Sequence, residues 1–383
     1  MTPDIAIKQA TWCVNPFLQA HQYMNGQLKP CCLYNDNIKS TNINEYINST
    51  NLAHLKTELI SGIKSNGCRR CWSDESLGIE SKRQRDNKTY QSRFRLIYHN
   101  KDLLEPNPNL TEYYVRLGNN CNLRCAICSD VVSTGWASEN KKFGLPYRKK
   151  NNIQKDDSIW QHMLDHARYI KLIEFIGGEP LFINLPLQIE FLKKLIASGD
   201  STRITLRYHT NGTKFNADIA NLWKHFKEVT VWVSIDGIDK SFEYQRYPAD
   251  WNVVVANVQK FQSLSKASPN IVIKANCTIS VLNILEFDDL IKWFKEHGLP
   301  YHLNLLEYPV EYGLFNQELK LKQQIIDYIT PITNTDLQQF IRNLLLAETK
   351  TQTQNLKSKL IEMDQKRSLK YSDCLMLSKL IDS

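Results

Sequence analysis

Between residues 113 and 306 the apolar positions change rhythm repeatedly. Runs over 113–117, 170–176, 204–208, 229–235, 271–279 and 302–306 are short and rich in Ile, Val, Leu and Tyr. That composition and length predict strands. Between them, 188–196, 217–226, 252–264 and 285–297 place apolar residues three and four apart, the spacing of amphipathic helices. Strands alternating with helices build βαβ units and a parallel sheet. Six such strands suit an α/β fold, a partial (β/α)6 TIM-like barrel, whose ligand chemistry gathers at the C-terminal ends of the strands.

Side chains alternate across a strand, so each run assigns faces. Val231, Val233 and Ile235 share one parity and Trp232, Ser234 and Asp236 the other. Ile204, Leu206 and Tyr208 oppose Thr205, Arg207, His209 and Asn211; Ile271, Ile273, Ala275, Cys277 and Ile279 oppose Lys274, Asn276 and Thr278. The apolar set is expected against helices. The polar set, joined by Arg116, Glu174 and Asn304, is expected to line a wet, partly cationic interior. Cys277 is then a packed core thiol.

The rest of the chain lacks this rhythm. Asn25-Gly26 reads as a hairpin turn between strands over 19–24 and 27–33, and 51–60 as a helix. Ser81-Lys82-Arg83-Gln84-Arg85 and Arg93-Phe94-Arg95 open a basic stretch, expected to be a linker helix with a solvated charged face. Beyond 310 the pattern turns polar and helical over 317–329, 336–348 and 355–369, with Pro331 ending the first of these. The expected organisation is a cysteine-rich module over 1–80, a basic linker over 81–110, the partial barrel over 111–310 and a helical extension over 311–383.

Composition narrows the setting. Of 383 residues 42% are apolar, ample for cores, and the net charge of +8 is mild and spread out. It leaves an acidic or nucleic-acid partner open without demanding one. No apolar run is long enough to span a membrane. Residues 1–10 carry charges and no long apolar region, unlike a secretory signal. The ten cysteines therefore point to metal chemistry in a reducing compartment, the cytoplasm, rather than to disulfides.

Eight of those cysteines fall into two groups, and clusters account for seven or eight of them. Cys121-Asn-Leu-Arg-Cys125-Ala-Ile-Cys128 follows the first barrel strand. A cubane iron–sulfur cluster takes one thiolate per iron, so three cysteines leave one iron open to a small molecule. Zinc or a disulfide is the alternative, though zinc normally takes four ligands. Gly177-Gly178-Glu179-Pro180 follows the second strand, and its glycines let backbone approach a ligand. Thr210-Asn211-Gly212-Thr213 ends the third strand, and Ser234-Ile235-Asp236-Gly237 ends the fourth, with Arg246 shortly after. The second group is Cys13, the Cys31–Cys32 pair, Cys68 and Cys71. Hairpin cysteines meeting a later C-x2-C suggest a four-thiolate site, for which zinc is the default metal.

Taken in this order, C-x3-C-x2-C, GGEP, TNG and S-x-D-G resemble the radical S-adenosylmethionine (SAM) superfamily over about 113–309, with Ile127 standing where that family often has an aromatic residue. The resemblance implies that Cys121, Cys125 and Cys128 hold a [4Fe-4S] cluster. It implies too that the open iron binds SAM, and that reductive cleavage yields a 5′-deoxyadenosyl radical that abstracts substrate hydrogen. Gly177, Gly178 and Glu179 would hold the SAM amino group. Asn211, Ser234, Asp236 and Arg246 would hold the rest, with Arg246 suited to the carboxylate. The N-terminal pattern is similar to the SPASM/twitch modules that carry auxiliary clusters. This implies a second [4Fe-4S] cluster on Cys13, Cys31, Cys68 and Cys71, with Cys32 as neighbour. Relatives of this kind imply a peptide or protein substrate and a low-potential electron donor such as a flavodoxin or ferredoxin. The alternatives are a small polar metabolite or sugar as substrate, or a non-catalytic iron–sulfur or zinc protein that binds a partner. Asp364 and Arg367 resemble an Asp-x-x-Arg near the end of related proteins, with no chemistry assigned.

Overall fold

A computed structural model describes the chain except residues 1–3, 5–6, 24, 37, 39, 77, 79, 100–101, 150, 152–156, 330–355 and 383. The expected helix over 336–348 and the stop at Pro331 lie outside the described residues. The architecture is α/β. Two compact units are present, one made of Met1–Gly118, Asn151–Tyr208 and Ala217–Val229, the other of Asn119–Lys150, His209–Asn216 and Thr230–Ser383.

The first unit orders its strands β2-β1-β3-β4-β5: β1 Gln19–Gln22, β2 Leu28–Lys29, β3 Glu112–Arg116, β4 Leu172–Ile176 and β5 Thr205–Thr210, except its last two residues. β1 and β2 form the expected antiparallel hairpin, in the register His21↔Lys29. Gly26 turns it with φ +80°, a conformation natural to glycine. β2 is shorter than the run suggested, because Pro30 has no N–H for the ladder. β1 then pairs in parallel with β3 (Ala20↔Tyr113), β3 with β4 (Tyr113↔Ile173) and β4 with β5 (Ile173↔Leu206). The cysteine-bearing N-terminus thus extends the parallel strand set by β1.

The basic stretch is a helix, Lys82–Tyr98, begun by a capping box between Ser81 and Gln84. The expected solvated face holds only in part. Arg83 and Asp86 are buried, as are Tyr90, Phe94 and Tyr98. The reason is an aromatic core in which Trp12 meets Phe94 at 4.5 Å and Phe17 meets Tyr98 edge-on at 5.6 Å. Phe94 and Tyr98 recur at i and i+4, so one helix face is apolar enough to dock while most arginines stay outside.

The second unit carries β6 Glu228–Ser234, except its first two residues, then β7 Ile271–Ile279 and β8 Tyr301–Leu305, in the order β6-β7-β8. β7 and β8 are parallel, with Cys277 opposite Leu303. The face assignment follows the sequence parity. Along β7 burial alternates strictly, with Ile271, Ile273, Ala275, Cys277 and Ile279 buried and Lys274, Asn276 and Thr278 half-exposed. In β5, Thr205, Arg207 and His209 are likewise the half-exposed set. Cys277 is fully buried, as a core thiol should be.

Helices follow the strands as the periodicity requires: Leu185–Ala197, Ala217–Trp223, Trp251–Ala267 and Phe287–Glu296. Asp250 caps the third of these through the amide of Val253. Leu319–Ile329 and Leu356–Arg367 form the described part of the helical C-terminal region. Among the described residues several short helices went unread in the sequence, Thr134–Lys142, Ser158–Asp165 and Asp239–Gln245 among them. Each is at most nine residues long, too short for periodicity to stand out. No described helix is long and apolar enough to cross a membrane.

Candidate functional site

The cysteine triplet lies in the second unit, on a loop pinned along its backbone. The Cys121 amide donates to Thr134 Oγ1 at 3.2 Å. The Arg124 and Ala126 amides donate to the carbonyls of Tyr247 and Gln245 at 2.6 and 2.7 Å. Trp136 Nε1 donates to the Cys125 carbonyl at 2.8 Å. Helix Thr134–Lys142, capped by Ser133 on the Trp136 amide, supplies two of these anchors. It approaches so closely that a Cβ at Gly135 would sit 2.7 Å from the Leu123 carbonyl. A loop whose peptide groups are already bonded keeps its side chains in place without relying on packing.

Thr210-Asn211-Gly212-Thr213 is tied to the same loop. Asn211 Nδ2 donates to Asn122 Oδ1 at 3.0 Å and lies 3.7 Å from Cys121 Sγ. Asn122 Nδ2 donates to Thr213 Oγ1 at 3.0 Å. Gly212 has φ +76°, and a Cβ there would meet Val233 Cγ1 at 2.9 Å. Its carbonyl accepts from Asn257 at 2.9 Å.

Asp236 and Arg246 form a buried ion pair, Oδ2 to Nη2 at 2.6 Å, with side chains 2% and 9% exposed. Asp236 Oδ1 accepts from the Thr278 amide at 2.8 Å. Its carbonyl accepts from Asn283 and Gln245. Arg246 Nη1 reaches Cys125 Sγ at 4.0 Å. Burial opposes the arginine's charge, but Asp236 and Cys125 outweigh it and its pKa moves up. Burial pushes the Cys125 thiol up; Arg246 and Arg367 pull it back, against Asp236. Burial also raises Cys128, and Cys125 and Cys121 add to that. Arg246 Nε is buried with no hydrogen-bond partner among the described residues. Ser234 is half-exposed at the end of β6.

The GGEP turn lies in the first unit. Gly177 has φ +146°, and a Cβ there would stand 2.8 Å from the Gly118 carbonyl. The Gly178 amide donates to that same carbonyl at 2.8 Å. Glu179 is fully buried, and its Oε1 accepts from the Leu181 amide at 3.0 Å.

The N-terminal thiols also lie in the first unit. Burial raises Cys13, with Cys68 and Cys71 contributing. Burial pushes Cys68 up to about 12, with Cys31 and Cys71 contributing. Burial raises Cys31, with Cys32 and Cys13 contributing. Cys13, Cys31, Cys32, Cys68 and Cys71 are therefore electrostatic neighbours. Cys32, also raised by burial, has Lys82, Asp86 and Glu174 as its next strongest influences. Tyr34 lies against Gly67, where any Cβ would collide with its ring. Arg83 braces the group, pairing with Glu75 at 2.7 Å and donating to the Trp12 carbonyl beside Cys13.

Among the described residues no three His, Cys, Asp or Glu side chains converge to chelate a single ion. A cubane makes a different demand, since each thiolate reaches its own iron. Buried thiols that raise one another's pKa are costly to ionise together, and a bound cationic cluster removes that cost. The donor sets fit iron–sulfur ligation on that ground. Asn122, Thr134, Trp136, Gln245 and Asn283 were not singled out in the sequence. Only Asn122 and Gln245 had a signal there, as neighbours of Cys121 and Arg246.

A family model, the Radical SAM superfamily, matches residues 115–310. The chain is 24% identical over 184 residues to the sporulation killing factor maturation protein SkfB of Bacillus subtilis (strain 168), covering 48% of this chain but only 39% of that protein. Two solved structures align at low similarity. Native anSMEcpe with bound AdoMet shows 19% identity and a TM-score of 0.41, over 61% of this chain and 63% of that one. Streptococcus suis SuiB bound to precursor peptide SuiA shows 12% identity and a TM-score of 0.39, over 73% and 62%.

Proposed function

The chain belongs to the radical SAM superfamily, and from that premise we propose that this enzyme modifies a peptide or protein. The carrying observation is the pinned loop of Cys121, Cys125 and Cys128 with the Asp236–Arg246 pair at its middle thiol. When bound, the [4Fe-4S] cluster and SAM supply a 5′-deoxyadenosyl radical that takes hydrogen from substrate. The three cysteines would hold that cluster and leave one iron for SAM. Asp236 fixes Arg246 in advance, so no rotamer search accompanies binding. Arg246 Nε, a buried donor lacking a partner among the described residues, would be satisfied by an incoming carboxylate. Asn211 and Ser234 would serve the same ligand.

Cys13, Cys31, Cys68 and Cys71 hold an auxiliary [4Fe-4S] cluster in this reading. Four thiolates would leave that cluster no open iron for a substrate, and the chemistry it would supply is electron relay or bracing of the module. A reduced flavodoxin or ferredoxin supplies the electron. A peptide substrate is supported by the relative whose name describes maturation of a killing factor. It is supported also by the polar strand face. There Trp232 stacks with His209 at 6.3 Å and lies under Lys274 Nζ at 5.2 Å. Such a face suits peptide side chains that are acidic or aromatic.

The test is anaerobic reconstitution with iron and sulfide, then dithionite, SAM and a peptide library. The expected result is about eight irons per chain, 5′-deoxyadenosine formation, and a peptide mass change. A Cys121/Cys125/Cys128→Ala variant should keep about four irons and cleave nothing. Retention of zinc without SAM cleavage would defeat the enzyme reading. SAM cleavage stimulated by small metabolites and by no peptide would defeat the substrate.

A further inference from the structure

Arg367 ends the helix Leu356–Arg367, far along the chain from the cysteines, yet its guanidinium is wholly buried behind their loop. Its side chain is 0% exposed. Nε and Nη2 grip the Glu139 carboxylate at 3.1 to 3.3 Å. Glu139, itself 3% exposed, also meets Arg124 Nε at 3.5 Å. Two guanidinium groups share one carboxylate, so these three side chains sum to one positive charge, and the nearby Asp364 carboxylate is bonded to neutral donors, Tyr244 Oη and the Tyr371 amide. Arg367 also lies over the Trp136 ring at 4.8 Å and the Tyr247 ring at 5.2 Å.

Each of these partners is bonded to the cysteine loop. Trp136 donates to the Cys125 carbonyl, Tyr247 accepts from the Arg124 amide, and Arg124 is in the loop itself. The helix is held also by Asp364, one turn before Arg367, which accepts from Tyr244 Oη and the Tyr371 amide, each at 2.8 Å. Anchorage alone does not account for Arg367. Its Nη1 is buried without a partner among the described residues. Apolar side chains of similar volume hold a helix as well as a buried ion pair does, or better. A buried, net-positive group beside a redox centre has an electrostatic consequence that apolar packing lacks: it favours the more negative, reduced state.

We propose that Arg367, set by Glu139, is a positioning residue that raises the reduction potential of the cluster held by Cys121, Cys125 and Cys128. The inference rests on the function proposed above. Its test is an anaerobic redox titration of the reconstituted full chain, followed by electron paramagnetic resonance. The triplet's cluster is identified by the change in its signal when SAM is added. Removing the cation in Arg367→Met should make reduction about tenfold less favourable, a fall of about 59 mV for one electron. Removing the anion in Glu139→Gln breaks the same pair but should raise the potential. Arg367→Lys, which keeps the charge, should stay near the wild type.

Opposite shifts support the inference, because a purely structural role moves both variants the same way. Equal shifts, or none, overturn it. If Arg367→Met does not fold, Glu139→Gln alone decides, since an unchanged or lowered potential overturns the inference. If the wild type shows no SAM-sensitive signal, the proposed function fails, and this inference with it.

Discussion

Asp236→Asn isolates the electrostatics of the candidate site with the least change of shape. The substitution keeps an oxygen for the Thr278 amide, now bonded at 2.8 Å. It removes the charge that faces Arg246 at 2.6 Å. At that separation and an effective dielectric near 20, the Coulomb attraction is about 6 kcal/mol. The net loss is smaller, because the pair already bears a desolvation cost. Breaking a buried pair from one side typically costs about 3–5 kcal/mol. With the side chains 2% and 9% exposed, little solvent is present to soften it, so the upper half of that range is expected.

Urea denaturation of the metal-free protein, with hydrogen exchange read at Thr278, measures this loss. Arg246→Met should cost a similar amount, by stranding Asp236. The double variant should recover much of it, since neutral replacement of a whole buried pair is often close to neutral. The coupling energy from that cycle should exceed about 2 kcal/mol. Additive losses, or an Asp236→Asn cost below about 1 kcal/mol, would refute the reasoning. Arg246 would then be held by packing instead of by charge.

Gly212→Ala places a Cβ 2.9 Å from Val233 at φ +76°; a loss of about 1–3 kcal/mol in thermal denaturation is expected, and an unchanged midpoint would refute it. Cys31→Ala should halve the iron retained after reconstitution, while Cys32→Ala leaves it unchanged; the reverse pattern would reassign the hairpin ligand. Burial raises the Glu112 carboxyl to about 7, against the pull of Arg93. The unfolded chain releases that proton near 4.5, so the folded state binds more protons between these values. Stability from this group is then present below pH 4.5 and lost as pH rises toward 7, by about 3 kcal/mol in all. Urea midpoints at several pH values should show that slope in the wild type and not in Glu112→Gln.

The sequence disclosed whatever depends on local period and on residue identity. The six strands expected between 113 and 306 appear within a residue or two of the runs that announced them. The face parity in β5 and β7 follows directly, because alternation along a strand leaves no freedom once one residue is assigned. The cysteines and the glycine turns were legible because few residues tolerate their geometry. At Gly177 and Gly212 a side chain would strike a carbonyl and a valine, respectively.

The supporting partners were not legible, and the reason is physical. Asn283, Gln245 and Asn257 act by donating side-chain amide protons to backbone carbonyls elsewhere in the fold, and nothing in their neighbours in the chain marks that use. Arg367 is the extreme case. In the sequence it is a basic residue in the last turn of a polar helix, where a cation ordinarily faces water and complements the helix dipole. Folding instead places it against Glu139, and the only prior sign was an unassigned spacing to Asp364. Chemistry-bearing residues are constrained by what they touch and so leave motifs. Residues that tune them are constrained only by position in space, and the burial of a charge is the signal that reveals them.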